Sequence, residues 1–275
     1  MARAGSPRAA ADTTSAMSPL SLVSGATAGA TWTDFTFNQS TADSSAHYHS
    51  NGVLLTVGLL VKLRGEHAFL DLAYTSLSLD SKSETTTPAA AAETPLTNSL
   101  SPDLRRFGLM LAAENGGAHA GRYRIEGGYR WLWSDFTRRD FRSGGAHAAG
   151  APTFTTDRYR LGGPAAAGVA RVPLGSAALF HHPLRVRVEA EGVWLQTADI
   201  ETSTGTEGGR HGVNWDGRAG VETGGDSWSL LLAWSTGGVN VDAAGGAFRP
   251  NDPVSHGKAT IRENGVALLL RAGSH

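Results

Sequence analysis

The clearest sign of how this chain folds is the stretch RYRIEGGYRWLWSD, residues 122–135. Its residue types alternate with a period of two: aromatic and aliphatic side chains share one face, and the other face carries Arg122, Arg124, Glu126 and Arg130. A period of two is that of a β-strand, because successive side chains point to opposite faces. The stretch therefore predicts a strand with one apolar and one charged face, whose register a slip of one residue would reverse.

The same alternation recurs along the chain, for example in residues 184–194 and 213–222. Strand-forming runs bounded by turn residues predict about ten strands. They lie near residues 26–37, 53–64, 67–79, 104–114, 122–136, 158–171, 184–197, 212–222, 227–239 and 258–271.

The connections between these strands alternate in length. The links at 64–67, 114–121, 173–183 and 223–227 are short to moderate, whereas those at 38–51, 80–103, 137–157, 198–211 and 240–257 are longer and rich in small and polar residues. An up-and-down barrel of an outer membrane has this asymmetry, with short periplasmic turns and longer external loops.

Composition excludes several classes of protein. Lys plus Arg number 24 and Asp plus Glu 25, a net charge of −1, which argues against a strongly basic protein and against a nucleic-acid partner. The chain has no cysteine, so disulfides, thiolate metal sites and thiol nucleophiles are excluded. We expect no cofactor and no metal site. The longest nearly apolar run, residues 53–61, is too short for a spanning helix of about 20 residues but close to the about 9–11 of a spanning strand.

Charged residues of both signs lie in the middle of the predicted strands. In a membrane barrel they would face the lumen and neutralise one another, whereas in a soluble barrel or sandwich they would form a solvated face. We predict a lumen charge network made of Lys62, Arg64, Asp71, Arg122, Arg124, Glu126, Arg130, Arg185, Arg187, Glu189, Glu191, Asp216, Arg218, Glu222 and Arg262.

Aromatic residues collect near the predicted strand ends. Tryptophan and tyrosine concentrate at both edges of a bilayer, where a ring is half wet and half apolar. We predict lipid-interface positions for Tyr123, Trp131, Trp133, Trp194, Trp215 and Trp228. The alternative is that these rings form the core of a sandwich.

With this pattern the chain resembles the small outer-membrane β-barrels of Gram-negative bacteria over about residues 26–271. The resemblance implies an all-β, antiparallel up-and-down transmembrane barrel of about ten strands, placed in the bacterial outer membrane and in contact with its lipid. Such barrels usually end on an aromatic residue, whereas this chain ends LLLRAGSH. Residues 1–23 lack the apolar core of an intact secretory signal, so an exported chain would have lost its signal already.

Two segments read as additions to the barrel. Residues 1–24 form a predicted flexible N-terminal arm, and residues 25–275 a single barrel domain. The connection at 80–103 includes the low-complexity stretch 85–99, which begins TTTPAAAA and predicts a loop that is mobile or ordered only by a neighbour. Both segments are candidate contacts for protein partners.

One short stretch is similar to a catalytic motif. Residues 46–52, AHYHSNG, resemble the His-x-Ser-Asn-Gly stretch of outer-membrane phospholipases and lipid A deacylases, which implies that His47 or His49 could activate Ser50 for attack on an ester. Neighbours in a strand point to opposite faces, so the alignment would need a bulge.

The sequence as a whole predicts a barrel without enzymatic activity. Its charge-filled lumen suits a membrane anchor or a structural subunit of an assembly. Three alternatives remain open at this point: a narrow pore that favours anions, an outer-membrane lipid ester hydrolase, and a soluble β-barrel that binds a small apolar ligand.

Overall fold

The computed structural model describes residues 21–40, 44–64, 68–78, 82–88, 94–115, 121–202, 205–207, 211–225, 227–242 and 258–273. The described residues form β-structure, and no helix among them is long and apolar enough to cross a membrane. The strands are β1 (Ser21–Ser40), β2 (Ser44–Arg64), β3 (Ala68–Ser78), β4 (Lys82–Pro88), β5 (Leu96–Asn115), β6 (Arg122–Ser143), β7 (Ala146–His147), β8 (Phe154–Leu179), β9 (His182–Leu195), β10 (Thr197–Thr202), β11 (Gly205–Glu207), β12 (His211–Gly224), β13 (Trp228–Asp242) and β14 (Lys258–Gly273).

The strands close into a ring in which all pairs are antiparallel. From β1 the ring runs through β2, β3, β5, β6, β8, β9, β12, β13 and β14, which pairs with β1 again. β4 follows β3 between the same two neighbours, β2 and β5, and β10 runs on beyond β9 along β8. The ring thus has ten strand positions joined in sequence order, and the predicted up-and-down barrel is confirmed.

The predicted strand centres are right, but most strands run further on the side of the longer loops. β1 and β2 enclose most of the predicted loop 38–51, and β6 continues to Ser143. The predicted loop at 80–103 is wrong over much of its length, because β4 and the first part of β5 pair there. β1 begins at Ser21, inside the predicted arm, and residues 1–20 lie outside the described residues.

The two faces of the wall have the polarity of a membrane protein. Ile125 is 71% exposed and Trp32 72%, whereas Glu126 and Arg130 are 5% and 4% exposed. Large outward-facing apolar side chains recur around the ring, and a soluble monomer rarely exposes a continuous apolar surface of this kind. The alternative of a soluble barrel, in which the apolar face would point inward and the charged face outward, is therefore wrong for the strand segments that carry these side chains.

The height of the apolar surface matches a bilayer. On β6 it runs from Tyr123 to Trp133. These positions are about 33 Å apart at about 3.3 Å per residue, and a strand tilt of about 35–45° reduces this to a band about 25 Å tall, the usual height in outer-membrane barrels. We call this the membrane-spanning part of the barrel, and the strand ends beyond it the external part.

In the external part the polarity of the faces reverses. On β1, the outward Trp32 is followed by outward Asp34 and Thr36, while Phe35 and Phe37 point inward and are fully buried. The external part thus has the polarity of a small water-soluble barrel, with an apolar interior and a polar outer face.

Candidate functional site in the barrel lumen

The lumen of the membrane-spanning part is filled by a network of arginines and carboxylates, here called the charged layer. At its centre Arg187 pairs with Glu222, 2.7 Å from Nη1 to Oε1, and with Glu189, 2.5 Å from Nη2 to Oε1. Arg271 reaches Glu189 at 2.9 Å, and Arg171 reaches Glu222 at 3.1 Å. Each of these carboxylates is shared by several guanidinium groups, which is how a charge can be tolerated away from water.

Other pairs of the charged layer lie on β5, β6, β9 and β12. Arg130 on β6 lies 2.8 Å from Glu191 on β9, and Arg106 on β5 also contacts Glu191. Arg218 lies 3.3 Å from Asp216 on the same strand. The pairs to Glu191 connect strands that are not direct neighbours in the ring, so these side chains extend into the interior and link the wall across one or two intervening strands.

The structure brings most of the predicted network residues together. In the charged layer are Arg124, Glu126, Arg130, Arg187, Glu189, Glu191, Asp216, Arg218 and Glu222. Arg185 is half-buried and donates to the carbonyl of Gly224 at 3.5 Å. The side chains of Lys62, Arg64 and Asp71 lie outside the described residues.

Two predicted members of the network lie elsewhere. Arg122 is exposed, because it is the first residue of β6 and lies at the periplasmic mouth. Arg262 is also exposed, because the odd-numbered residues of β14, from Ala259 to Leu269, face inward and put it on the outer face.

Several charged residues of the lumen were missed in the sequence. Arg106 and Arg171 join the layer from β5 and β8, and Arg271 from β14. A signal existed for Arg271: Leu268 and Leu270 are apolar and face lipid, so the residue after them falls on the inner face. The same signal existed for Arg106, because Leu109 and Leu111 face lipid and the even-numbered residues of β5 fall on the inner face. No such run of large apolar residues surrounds Arg171.

Water-sized space remains within and above the charged layer. A cavity of about 200 Å³ is lined by residues including Arg124, Arg171 and Glu189. A second cavity of about 100 Å³ lies further up the lumen and shares Arg106 and Asp216 with the first. The lumen of the membrane-spanning part is therefore charged but not completely filled by side chains.

Above these cavities the lumen is closed by buried rings, here called the aromatic layer. Phe37 and Phe136 stack with centroids 4.3 Å apart, and Tyr159 packs edge-on against Phe136 at 5.4 Å. Phe35 and Tyr48 form a further edge-on pair at 6.1 Å. All five side chains are buried, and they belong to one apolar cluster that also includes Leu100 on β5, Leu195 on β9 and Ile261 on β14, so apolar packing reaches most strands of the ring in the external part.

A polar cluster, the external cluster, lies beyond the aromatic layer. Arg138 pairs with Glu84 and, at 2.5 Å, with Asp157, and it donates to Gln39 at 3.2 Å. Asn98 donates to Glu84 at 2.9 Å. Burial by itself would lower the pKa of Arg138, but the two carboxylates outweigh burial and raise this pKa. The cluster ties β4 to β1, β5, β6 and β8.

The residues of the catalytic resemblance are not brought together. Ser50 faces inward and is fully buried, while His47 and His49 lie on the outer face of β2. The ring Nε2 of His49 lies 2.6 Å from Asp34, and Nδ1 of His47 lies 2.5 Å from Asn38. No bulge realigns them, since β2 keeps a continuous register with β1.

The aromatic residues of the outer wall divide between the two edges of the apolar band. Trp131, Trp133, Trp194 and Trp215 are exposed near the external edge, and Trp32 and Trp234, which were missed, join them there. Trp32 and Trp234 both pair in register with Val266. Tyr123 and Trp228 lie at the periplasmic edge.

A closed antiparallel ring with this outer surface is a β-barrel of the type found in the outer membrane of Gram-negative bacteria, and it places the chain in that membrane. Among solved structures the chain is similar to the outer membrane protease OmpT of Escherichia coli, with a TM-score of 0.59 and 9% identity over 92% of this chain and 98% of that chain. At that identity the likeness shows the fold and not the activity.

Other solved barrels match more loosely. The translocator domain of the autotransporter NalP of Neisseria meningitidis aligns with a TM-score of 0.33 and 11% identity over 91% of this chain and 88% of that chain. A FadL homologue of Pseudomonas aeruginosa aligns with a TM-score of 0.26 and 8% identity over 92% and 90% of the two chains. No protein-family model and no curated protein matches the sequence.

Proposed function

We propose that this protein is a closed, non-conducting outer-membrane barrel that serves as a membrane anchor or as a structural subunit of an assembly. The observation that carries the proposal is the aromatic layer. Phe37, Phe136 and Tyr159 are buried against one another directly above the cavities of the charged layer. These rings would block a solute that enters the lumen from the periplasm.

The charged layer supports the same proposal. Its arginines and carboxylates are paired with one another inside the lumen, as in Arg130 with Glu191 and Arg187 with Glu222. Paired charges hold the wall together and leave little free charge to attract a permeating anion. A narrow anion-leaning pore would need both the pairs and the rings to move aside.

Conductance in planar bilayers tests the proposal. The purified wild-type barrel should show negligible or very small current steps. The double variant Phe37→Ala with Phe136→Ala should raise the ion flux, because it removes the stacked rings above cavities of about 200 and 100 Å³, which are large enough for water. Trp32→Ala is the matched control: it lies on the same strand as Phe37 but faces outward, so it should leave conductance at the wild-type level. Large steady conductance of the wild type would refute the closed barrel.

The proposed role as a subunit is tested at the external rim. β4 lies within the segment 80–103 that we propose as a partner contact, and Thr87 is exposed on it. Because the chain has no cysteine, Thr87→Cys can carry a single photo-crosslinker in the native envelope. We expect a crosslinked product larger than the 28.7 kDa chain. Asp199→Cys, exposed on β10 at another part of the rim, is the control, and equal labelling from both positions would contradict a contact specific to the β4 segment.

A further inference from the structure

The periplasmic hairpin between β8 and β9 has an unusual turn. Its two turn residues, Phe180 and His181, have φ values of 53° and 62°. Two-residue hairpin turns of this left-handed kind strongly favour Asn-Gly, because a side chain such as phenylalanine is strained there. Strain that a fold retains points to a role for the side chain involved. Phe180 is 64% exposed, so that role is not packing within this chain.

The strand before the turn carries a bulge that changes which residues face outward. Pro173 pairs with Arg185 and Ala178 with Pro183, so residues 174–177 stand opposite a single residue of β9. The bulge contains Gly175 in a left-handed conformation, with φ at 59°. Past the bulge Leu179 pairs with His182, an even-numbered residue of β9, and the even-numbered residues of β9 face outward.

The hairpin therefore continues the lipid-facing wall with apolar side chains. Val172 is 44% exposed before the bulge, and Leu179 is 45% exposed after it. Without the shift in alternation, the odd-numbered Leu179 would lie on the face of the lumen residues. Leu174 in the bulge is 39% exposed, so exposed apolar side chains follow the strand from its spanning part to the tip at Phe180.

Contacts to the next turn fix the height of the hairpin. The hydroxyl of Thr223 donates to the carbonyl of Leu179 at 3.2 Å and lies 3.5 Å from the carbonyl of His182. The His182 ring packs edge-on against Trp228, with centroids 5.0 Å apart. Phe180 is two residues from His182 within the turn, so its Cα lies at most about 7 Å from that of His182, the reach of two residues. The headgroup region on each side of a bilayer is about 5–7 Å thick, so a ring one such step beyond Trp228 lies within it.

From this placement we propose that Leu179 and Phe180 form an interfacial anchor, which inserts into the boundary between headgroups and acyl chains in the periplasmic leaflet. The partner is a phospholipid surface, because the patch is continuous with the lipid-facing wall and lies beside the aromatic residues of the same edge. The anchor does not depend on whether the lumen conducts, and its failure would leave the proposed closed barrel untouched.

A fluorescent label at the tip tests the anchor. The chain has no cysteine, so Phe180→Cys can carry one environment-sensitive label in vesicles of phosphatidylethanolamine and phosphatidylglycerol. Ala146→Cys is the reference, since it is exposed in a similarly tight hairpin on the external side. We expect the label at 180 to emit at shorter wavelength than the label at 146 and to be quenched several-fold more by lipids with a nitroxide near the headgroup. Equal emission and equal quenching at the two positions would overturn the proposal.

A second variant separates the anchor from the turn. Asparagine accepts a left-handed conformation more readily than phenylalanine does, so Phe180→Asn should keep the turn and remove the apolar ring. With the label moved to Leu179→Cys, the added Phe180→Asn change should lower quenching toward the reference value. Unchanged quenching would show that Phe180 is not an anchor. A label at 180 that is shielded only in native envelopes, and not in the vesicles, would identify a protein partner and would also overturn the proposal.

Discussion

The same strands are patterned in opposite ways below and above the external edge of the membrane. On β6, Trp131 and Trp133 point outward within the apolar band, but three residues further on Phe136 points inward while Asp135 and Thr137 face out. β1 makes the same change between Trp32 and Phe35. The backbone ladder continues through this point without a break. The medium outside the wall, rather than the strand itself, thus decides which face is apolar.

The lumen changes character at the same level. Inside the membrane-spanning part it holds the charged layer, and inside the external part it holds the aromatic layer. In the first region the interior is stabilised by ion pairs and the outside by lipid. In the second the interior is stabilised mainly by apolar burial, with the external cluster as its one polar group of side chains described above, and the outside is stabilised by water. The two regions should therefore respond differently to substitutions at corresponding inward and outward positions.

The largest effect is expected from emptying the aromatic layer. Phe136→Ala removes a fully buried ring that contacts Phe37 and Tyr159. The free energy of unfolding should fall by about 3–5 kcal/mol, from lost apolar burial and the cavity left behind. Urea titration in phospholipid vesicles measures it. Trp131 lies on the same strand but faces outward, so Trp131→Ala should lower the free energy of unfolding by less. An equal or larger loss for Trp131→Ala would contradict the claim that the external part is stabilised by its buried interior.

Breaking the charged layer should have the next largest effect. Arg187→Ala leaves Glu222 and Glu189 without their shared partner, and removing one member of a buried pair costs about 3–5 kcal/mol. We expect about 3 kcal/mol, at the lower end of that range, because Arg171 and Arg271 still reach the two carboxylates. The same urea titration applies.

A double-mutant cycle sharpens this prediction. Adding Glu222→Ala to Arg187→Ala should cost less than the sum of the two single changes, because the pair is removed together. Strict additivity would mean that the 2.7 Å contact between the two side chains does not couple them.

The two regions differ in how much the sequence could reveal. In the membrane-spanning part, outward apolar residues alternate with charges, so the strands and most lumen residues, such as Arg130 and Glu191, could be predicted. In the external part the alternation is between polar and aromatic residues with the opposite phase, and β4 and the strand ends were predicted as loops. The aromatic layer was missed for that reason, although Phe35 and Phe37 are spaced two apart. The external cluster depends on distant strands, and no local pattern relates Glu84 to Arg138.

An arginine placed on the outer face of the barrel tests whether lipid covers that face. Val57 on β2 is exposed within the apolar band. An arginine near the middle of a lipid-facing wall costs about 2–4 kcal/mol, so Val57→Arg should lower the free energy of unfolding in vesicles by about 2–3 kcal/mol. A loss below about 0.5 kcal/mol, the range of ordinary surface changes, would show that lipid does not cover this face.

The smallest effect should come from the same substitution on the same strand and face, above the edge. Ser45 is exposed at the external end of β2, beyond outward His47 and His49. Water surrounds this position, so Ser45→Arg should change the free energy of unfolding by no more than about 0.5 kcal/mol. Arginines placed one at a time at outward positions between Ser45 and Val57 should then show a steep rise in cost where Asn51 gives way to Val53. A gradual rise along the whole strand would mean that the reversal of the pattern does not mark the membrane edge.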